Sequence, residues 1–302
     1  MTAPLVILGP TASGKSALAL AYAQRHGHVE ILAIDAMQVY RRMDIGTAKP
    51  TAADQRLVPH HGIDLVEPSD DFALTDFQHL TRASLAGIAA RGARPVLVAG
   101  TGLYLRGLTD PMEVPGRWPD VRAELERRVA ALGPFALHTE LAALDPVAAG
   151  RMEPSNARRV VRALEVTLGS GRQFSSYGPG LDQYPPIEFA QIGLQWSRPA
   201  LTARIAERVH VMLAAGLVAE VAALLAESRP MSRTARQALG YKELIEHLEG
   251  RATLDEAVAS IILRTRQFAV RQERWFRRDP RIRWVHIEHD PVEEVLPVLL
   301  QS

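Results

Sequence analysis

Pro4-Leu-Val-Ile-Leu8-Gly9-Pro10-Thr11-Ala12-Ser13-Gly14-Lys15-Ser16 is a short apolar run ending in a turn of the pattern G-x-x-x-x-G-K-[ST]. Residues 17–25 continue with helical spacing, so the order is strand, loop, helix. That order gives the pattern its physical meaning. The glycines let consecutive backbone N–H groups curl round phosphate oxygens, and the start of a helix adds a favourable dipole. Lys15 adds a compact positive charge, and the Ser16 hydroxyl is a ligand for Mg2+. Gly9, Pro10, Thr11, Ala12, Ser13, Gly14, Lys15 and Ser16 are therefore expected to hold a polyphosphate, which names a ligand class and not a reaction.

Outward from the loop, residues 29–34 read as a second strand ending at Asp35, and 94–99 as a third ending at Gly100-Thr101-Gly102. Helical spacing over 76–91 lies between them. Alternating strands and helices predict a parallel sheet whose ligands sit at the carboxyl ends of the strands, where Asp35 and Thr101 lie. A nucleotide hydrolase of this kind carries an acidic residue at a strand end to hold Mg2+, but the third strand ends in Gly-Thr-Gly. On the loop alone, a small-molecule kinase and a transferase using another diphosphate both remain open.

Beyond Asp110, Pro111, Pro115 and Pro119 cluster, and helix-like runs follow at 120–132, 134–144 and 155–169. This reads as an inserted helical unit closing in the Gly/Ser/Pro/Tyr-rich stretch 169–186. Residues 187–196 look like a strand returning to the sheet, 199–278 like helices, and 282–287 like a last strand. The expected fold is α/β: a P-loop parallel-sheet core with an inserted helical domain and a helical C-terminal region. The expected divisions are 1–112, 113–190 and 191–302.

The 302 residues are 47% apolar and 23% charged, the composition of a folded chain. With no cysteine, disulfides, thiolate metal sites and a cysteine nucleophile are excluded. The net charge of +1 gives no general attraction to an anionic partner, so only its distribution can do so. No run approaches 18 apolar residues, and the first strand reaches Gly9-Pro10 too soon for a signal-peptide core. A soluble cytoplasmic monomer with no membrane partner is expected. Only Lys15, Lys49 and Lys242 are lysines among 35 basic residues.

Further segments coincide with one family: Asp35-Ala-Met-Gln38-Val-Tyr40, Met43-Asp-Ile-Gly-Thr-Ala-Lys49-Pro50, Pro59-His-His-Gly-Ile-Asp64 and Gly100-Thr-Gly-Leu-Tyr104. Arg159-Val-Val-Arg162-Ala-Leu-Glu165-Val, Gln237-Ala-Leu-Gly-Tyr-Lys-Glu243 and Thr265-Arg-Gln-Phe-Ala-Val-Arg271-Gln272, followed by Trp275-Phe-Arg277, extend the match. From about residue 3 to 284 the chain resembles tRNA dimethylallyltransferases. The resemblance implies transfer of a dimethylallyl group from dimethylallyl diphosphate to N6 of the adenosine just 3′ of the anticodon, with Mg2+ as cofactor. The glycine loop then holds a leaving group.

The resemblance carries Asp35 over as general base and places Thr101 in the active site. Read from the residues alone, Asp35 as a magnesium ligand and Thr101 as a plain turn residue stay open. Gln38 is able to pair with an adenine edge through a bidentate amide. Arg204 and Arg208, four apart on one helix, are the arginines expected to reach the diphosphate, with Arg208 the assigned contact; solvated arginines are the alternative. The tRNA anticodon stem-loop is expected to meet Asp35, Ala36, Met37, Gln38, Thr101, Arg122, Arg158, Arg159, Arg162, Arg236, Gln237, Gly240, Tyr241, Arg271, Gln272, Trp275 and Arg277. Residues 264–283 hold eight arginines against Glu273 and Asp279, and Arg264, Arg271, Arg274 and Arg278 align on one helical face suited to a phosphate backbone. Trp275 reads equally as core or as a stacking residue.

The family often has Ser at Ala36, Gly at Ala99 and Asn-Asp at Ser155-Asn156, departures that touch one hydroxyl contact and details of the insertion. An adenylate isopentenyltransferase, a small-molecule kinase and an RNA-binding protein with a relic loop are the rivals. The helical insertion and arginine-rich helix oppose the first, and an intact Lys15-Ser16 with Asp35 opposes the last. His60-His61 invites a metal reading, but adjacent histidines point apart.

Overall fold

The structure, a computed structural model, describes residues 3–178, 181 and 183–301. In chain order, β1 (Leu5–Leu8) leads through the glycine loop into α1 (Lys15–His26). Then come β2 (Val29–Ile34), α2 (Ala52–Leu57), β3 (His60–His61), α3 (Leu74–Ala90), β4 (Arg94–Ala99) and α4 (Gly102–Thr109). Next are α5 (Pro119–Leu132), α6 (Pro134–Leu144), α7 (Pro146–Gly150) and α8 (Ala157–Ser170). The chain continues with β5 (Ala190–Trp196), α9 (Arg198–Ala214), α10 (Leu217–Leu225) and α11 (Arg233–Arg236). It ends with α12 (Tyr241–Leu248), α13 (Leu254–Phe276), β6 (Ile282–Ile287) and α14 (Pro291–Leu300). These elements form two compact units, Met1–Thr109 with Pro186–Ser302, and Asp110–Pro185.

The first unit is built on a six-stranded parallel sheet in the order β3-β2-β4-β1-β5-β6. Every residue of β1 and β2 is buried, as both faces of a parallel sheet require. Alternate side chains go to opposite faces: Val6, Leu8, Leu32 and Leu97 join one apolar cluster, Leu5, Ile7, Ile31 and Val96 the other. Because β2, β4 and β1 are consecutive neighbours, the three loops leaving their carboxyl ends stand side by side. Those loops carry Asp35, Thr101 and the glycine turn.

The second unit packs α5, α6, α7 and α8 round Leu125, Leu137, Leu141, Val160, Val161 and Leu164. Proline opens α5, α6 and α7, where its missing N–H costs nothing. Inside this unit Glu165 is buried, and it accepts from the Trp118 N–H at 3.0 Å and pairs with Arg122 at 3.1 Å and Arg162 at 3.0 Å.

The boundaries differ from the sequence expectation. The second unit spans 110–185 rather than 113–190, because Ala190 already belongs to β5 and its N–H donates to the Pro4 carbonyl at 3.0 Å. α2, β3, α4, α7 and α14 were not expected from the sequence: the first four are too short to show a clear period, and α14 carries Pro297 inside it. Pro179, Gly180 and Asp182 of the 169–186 stretch lie outside the described residues. No single helix among the described residues is long and apolar enough to cross a membrane.

Candidate active site

Backbone geometry explains the residues of the glycine turn. Gly9 has φ +151°, and a Cβ there would stand 2.9 Å from the Leu194 carbonyl oxygen. Gly14 has φ +87°, and a Cβ there would run into the Pro291 ring at the start of α14. Neighbours tie the loop's carbonyls outward. The Trp196 indole N–H donates to the Ser13 carbonyl at 3.1 Å, Arg204 Nε to the Ala12 carbonyl at 3.0 Å, and Lys15 Nζ to the Pro10 carbonyl at 2.7 Å. The first turn of α1 has no side-chain cap, so its amides are available to an anion. The buried Ser13 hydroxyl has no partner among the described residues.

Two cations complete this cradle. Burial, with Arg208 beside it, pushes the Lys15 ammonium down to about 7, and Asp35 opposes the shift. Burial also lowers Arg208, again opposed by Asp35. Arg208 makes no hydrogen bond or ion pair with any described residue, yet it lines the same cavity as Thr11, Lys15, Ser16 and Asp35. Desolvated, unpaired cations are costly, and a multiply charged anion between them relieves that cost. Arg204 has a different task. Its guanidinium stacks 4.3 Å over Trp196 while holding Ala12, so it braces the loop.

The rim opposite is made by β2 and β4. Asp35 Oδ1 accepts from the Met37 N–H at 2.8 Å and the Gln38 N–H at 3.3 Å, a local turn that fixes the carboxylate. Its Oδ2 stands over Gly100, where a Cβ would come within 3.4 Å of it. The Thr101 hydroxyl oxygen accepts from the Ala36 N–H at 3.3 Å, locking the two loops together. Gln38 donates through Nε2 to the Thr47 and Ala48 carbonyls, each at 3.1 Å. An apolar part of the cavity wall comes from Ile31 and Ala33 on β2, Val98 on β4, Pro50 and Phe268. Sequence reading missed these residues; the one signal available was the alternation of 31 and 33 on a single face of β2.

His60 also lines the cavity, with Nδ1 2.8 Å from the Val58 carbonyl oxygen, and burial holds it below the usual histidine value. His61 turns the other way, placing Nε2 2.6 Å from Glu30. Ser16 Oγ, exposed at the first turn of α1, is an oxygen donor that fits a Mg2+ arriving with a diphosphate. Among the described residues no group of three His, Cys, Asp or Glu side chains is placed to hold a metal alone.

Several residues expected at an RNA surface are occupied elsewhere. Tyr241 is fully buried and donates to Glu220 Oε1 at 2.5 Å, and Gly240 is buried with its N–H on Glu243. Gln272 is buried; its Oε1 accepts from the Thr11 N–H at 2.8 Å and its Nε2 donates to the Gly100 carbonyl at 2.7 Å, so it ties two site loops together. Arg122 and Arg162 are anchored on Glu165, and Arg236 pairs with Glu249 at 3.1 Å. On α13, Arg264 pairs with the buried Glu243, and Arg277 pairs with Glu273 and lies over Trp284. Trp275 is half-buried against Gly102, where a Cβ would run into its ring. Arg158, Arg159, Gln237, Arg271 and Arg274 are exposed.

The family model described as IPP transferase matches residues 38–279, and that for isopentenyl transferase matches 3–58. The chain is 47% identical over 281 residues to the tRNA dimethylallyltransferase of Streptomyces coelicolor, covering 93% of this chain and 89% of that one. Among solved structures it is similar to the tRNA isopentenylpyrophosphate transferase of Bacillus halodurans, with 37% identity, a TM-score of 0.68, and coverage of 98% and 95% of the two chains. A eukaryotic dimethylallyltransferase solved acting on tRNA aligns with a TM-score of 0.78 at 25% identity, over 95% of this chain and 74% of that one. The chain belongs to the tRNA dimethylallyltransferase family.

Proposed function

We propose that this enzyme transfers a dimethylallyl group from dimethylallyl diphosphate to N6 of the adenosine 3′-adjacent to the anticodon of tRNA, releasing diphosphate. The observation that carries the reading is the pairing, within one cavity, of an anion cradle holding two desolvated cations with a carboxylate oxygen and an apolar stretch of wall. The cradle fits the diphosphate, and Ile31, Val98 and Phe268 fit a hydrocarbon tail.

In the reaction the bond from the allylic carbon to the diphosphate oxygen breaks, and a bond from N6 to that carbon forms. Charge grows on the departing oxygen, to be met by Lys15 and Arg208, which line the cavity, and by the uncapped amides at the start of α1. Asp35 Oδ2 takes the N6 proton, while Oδ1 stays engaged with the Met37 and Gln38 amides. Thr101 keeps Ala36, and with it Asp35, in register. The chemistry Mg2+ supplies when bound beside Ser16 is neutralisation of the diphosphate charge. The exposed Arg158, Arg159 and Arg271 are the tRNA phosphate contacts of this reading.

The test is incubation with Mg2+, labelled dimethylallyl diphosphate and either unmodified tRNA, AMP or a small alcohol with ATP. Label entering tRNA alone is the expected result. ATP turnover without prenyl transfer overturns the reading, and label entering AMP in preference to tRNA moves the acceptor to free nucleotides.

A further inference from the structure

Gln38 forms part of the cavity wall, and its amide is polarised by its neighbours. Both Nε2 protons are used, on the Thr47 and Ala48 carbonyls. Two carbonyls accept only from the NH2 end, so the chemistry fixes the amide's orientation and leaves Oε1 as the end offered to a ligand. An oxygen there accepts from an exocyclic amine and repels an exocyclic carbonyl. The Gln38 amide thus offers a ligand a single acceptor, and not the bidentate pairing its residue type allows.

That orientation depends on where carbonyls 47 and 48 sit, in a segment with no regular secondary structure and with Ala48 at φ +49°. The segment is clamped from a distant helix. Glu220 on α10 accepts through Oε2 from the Asp44 N–H at 3.0 Å and the Ile45 N–H at 2.8 Å. Its Oε1 accepts from the Gly46 N–H at 3.2 Å and the Tyr241 hydroxyl at 2.5 Å. One carboxylate therefore holds three consecutive backbone amides by charge-assisted bonds and is itself aimed by a phenol. Burial and the bond to Glu220 raise Tyr241 above the usual phenol value, so it stays a donor. The Tyr241 ring lies so close to Gly46 that a Cβ there would run into it. Lys49 holds the far end by bonding the Tyr40 carbonyl and the Asp44 and Asp64 side chains, leaving the 44–46 amides to Glu220.

We propose that Glu220 is the positioning residue for base specificity. By clamping the 44–46 backbone it keeps the Gln38 acceptor facing the purine, so the site takes a base with an exocyclic amine and rejects one with a carbonyl in its place. This rests on the tRNA-adenosine reading above.

The test uses the intact enzyme and two anticodon stem-loops that differ only in adenosine or inosine at the target position, with dissociation constants measured by competition. The parent enzyme is expected to prefer adenosine by about tenfold or more, and Glu220→Ala to reduce that preference to about threefold or less, because the freed amide can turn its NH2 toward a carbonyl. Gln38→Ala gives the same collapse, and the KM for dimethylallyl diphosphate stays near the parent value. Glu220→Gln keeps the shape and one acceptor oxygen, and is expected to fall between, which decides the matter should the alanine variant not fold. Equal weakening for both stem-loops, with the preference intact, overturns the proposal and leaves Glu220 a structural support. Prenyl transfer to tRNA by the parent is measured on the same preparation: no transfer defeats the functional reading, whereas transfer with an unmoved preference defeats this one alone.

Discussion

The two oxygens of Asp35 have different partners: Oδ1 accepts two backbone amides, and Oδ2 stands over Gly100 toward the cavity. Asn at this position keeps the turn but removes the base. Asp35→Asn is expected to lower kcat by about a hundredfold to ten-thousandfold while leaving tRNA affinity within about threefold, because proton acceptance belongs to the transition state. Steady-state kinetics beside a filter-binding assay check this, and a loss of binding equal to the loss of rate refutes it. Lys15 makes the second residue-scale prediction. In the free enzyme it titrates near 7, and a bound diphosphate restores its charge. The contribution of Lys15 to pyrophosphate affinity should therefore not vary with pH below that value and should weaken above it, with proton uptake on binding. Calorimetry in buffers of different ionisation enthalpy measures that uptake, with Lys15→Arg, whose charge does not titrate, as the control. Equal uptake by the two proteins removes Lys15 from the account.

At the scale of elements, α13 has two faces with different tasks. Gln272 points inward and joins the glycine loop to the Gly100 turn, whereas Arg271, its neighbour, is exposed beside Phe268. Arg271→Ala is expected to weaken tRNA binding and reduce the slope of log K against log salt by about one, without changing diphosphate affinity. An unchanged slope takes Arg271 off the contact surface. The same helix shows which parts of the site were legible in the sequence. Thr11, Lys15 and Ser16 were readable because a phosphate loop is local: eight consecutive residues hold both the backbone freedom and the chemistry. Asp35 and Thr101 were readable because the ends of parallel strands meet. Arginine roles were not readable. Arg122 and Arg162 carry the same side chain as Arg158, and only the fold puts the buried Glu165 under two of them. Gln272 and Glu220 act on residues more than 170 positions away, a separation at which no periodicity or spacing signals contact.

For the molecule as a whole, the anion cradle opposes stability. Lys15 is charged and solvated in the unfolded chain but desolvated beside Arg208 in the fold, so the native state binds its proton less tightly. The sign follows directly. Between about 7 and the ordinary lysine value of 10.5 the unfolded chain holds the proton and the native one does not, so stability rises with pH across that window. Below about 7 both states are protonated and the whole cost is present. Replacing Lys15 with an apolar residue of similar length removes that cost. Lys15→Met is therefore expected to raise the melting temperature of the ligand-free protein at pH 6, with an advantage that shrinks steadily toward pH 10. Pyrophosphate with Mg2+ should then stabilise the parent far more than the variant, since binding to the native state alone adds stability in proportion to its affinity. Thermal melts at several pH values, with and without pyrophosphate, contain the whole comparison. A variant less stable than the parent at pH 6, or one with an undiminished pyrophosphate shift, would show that Lys15 is a structural support and not a charge held ready for the leaving group.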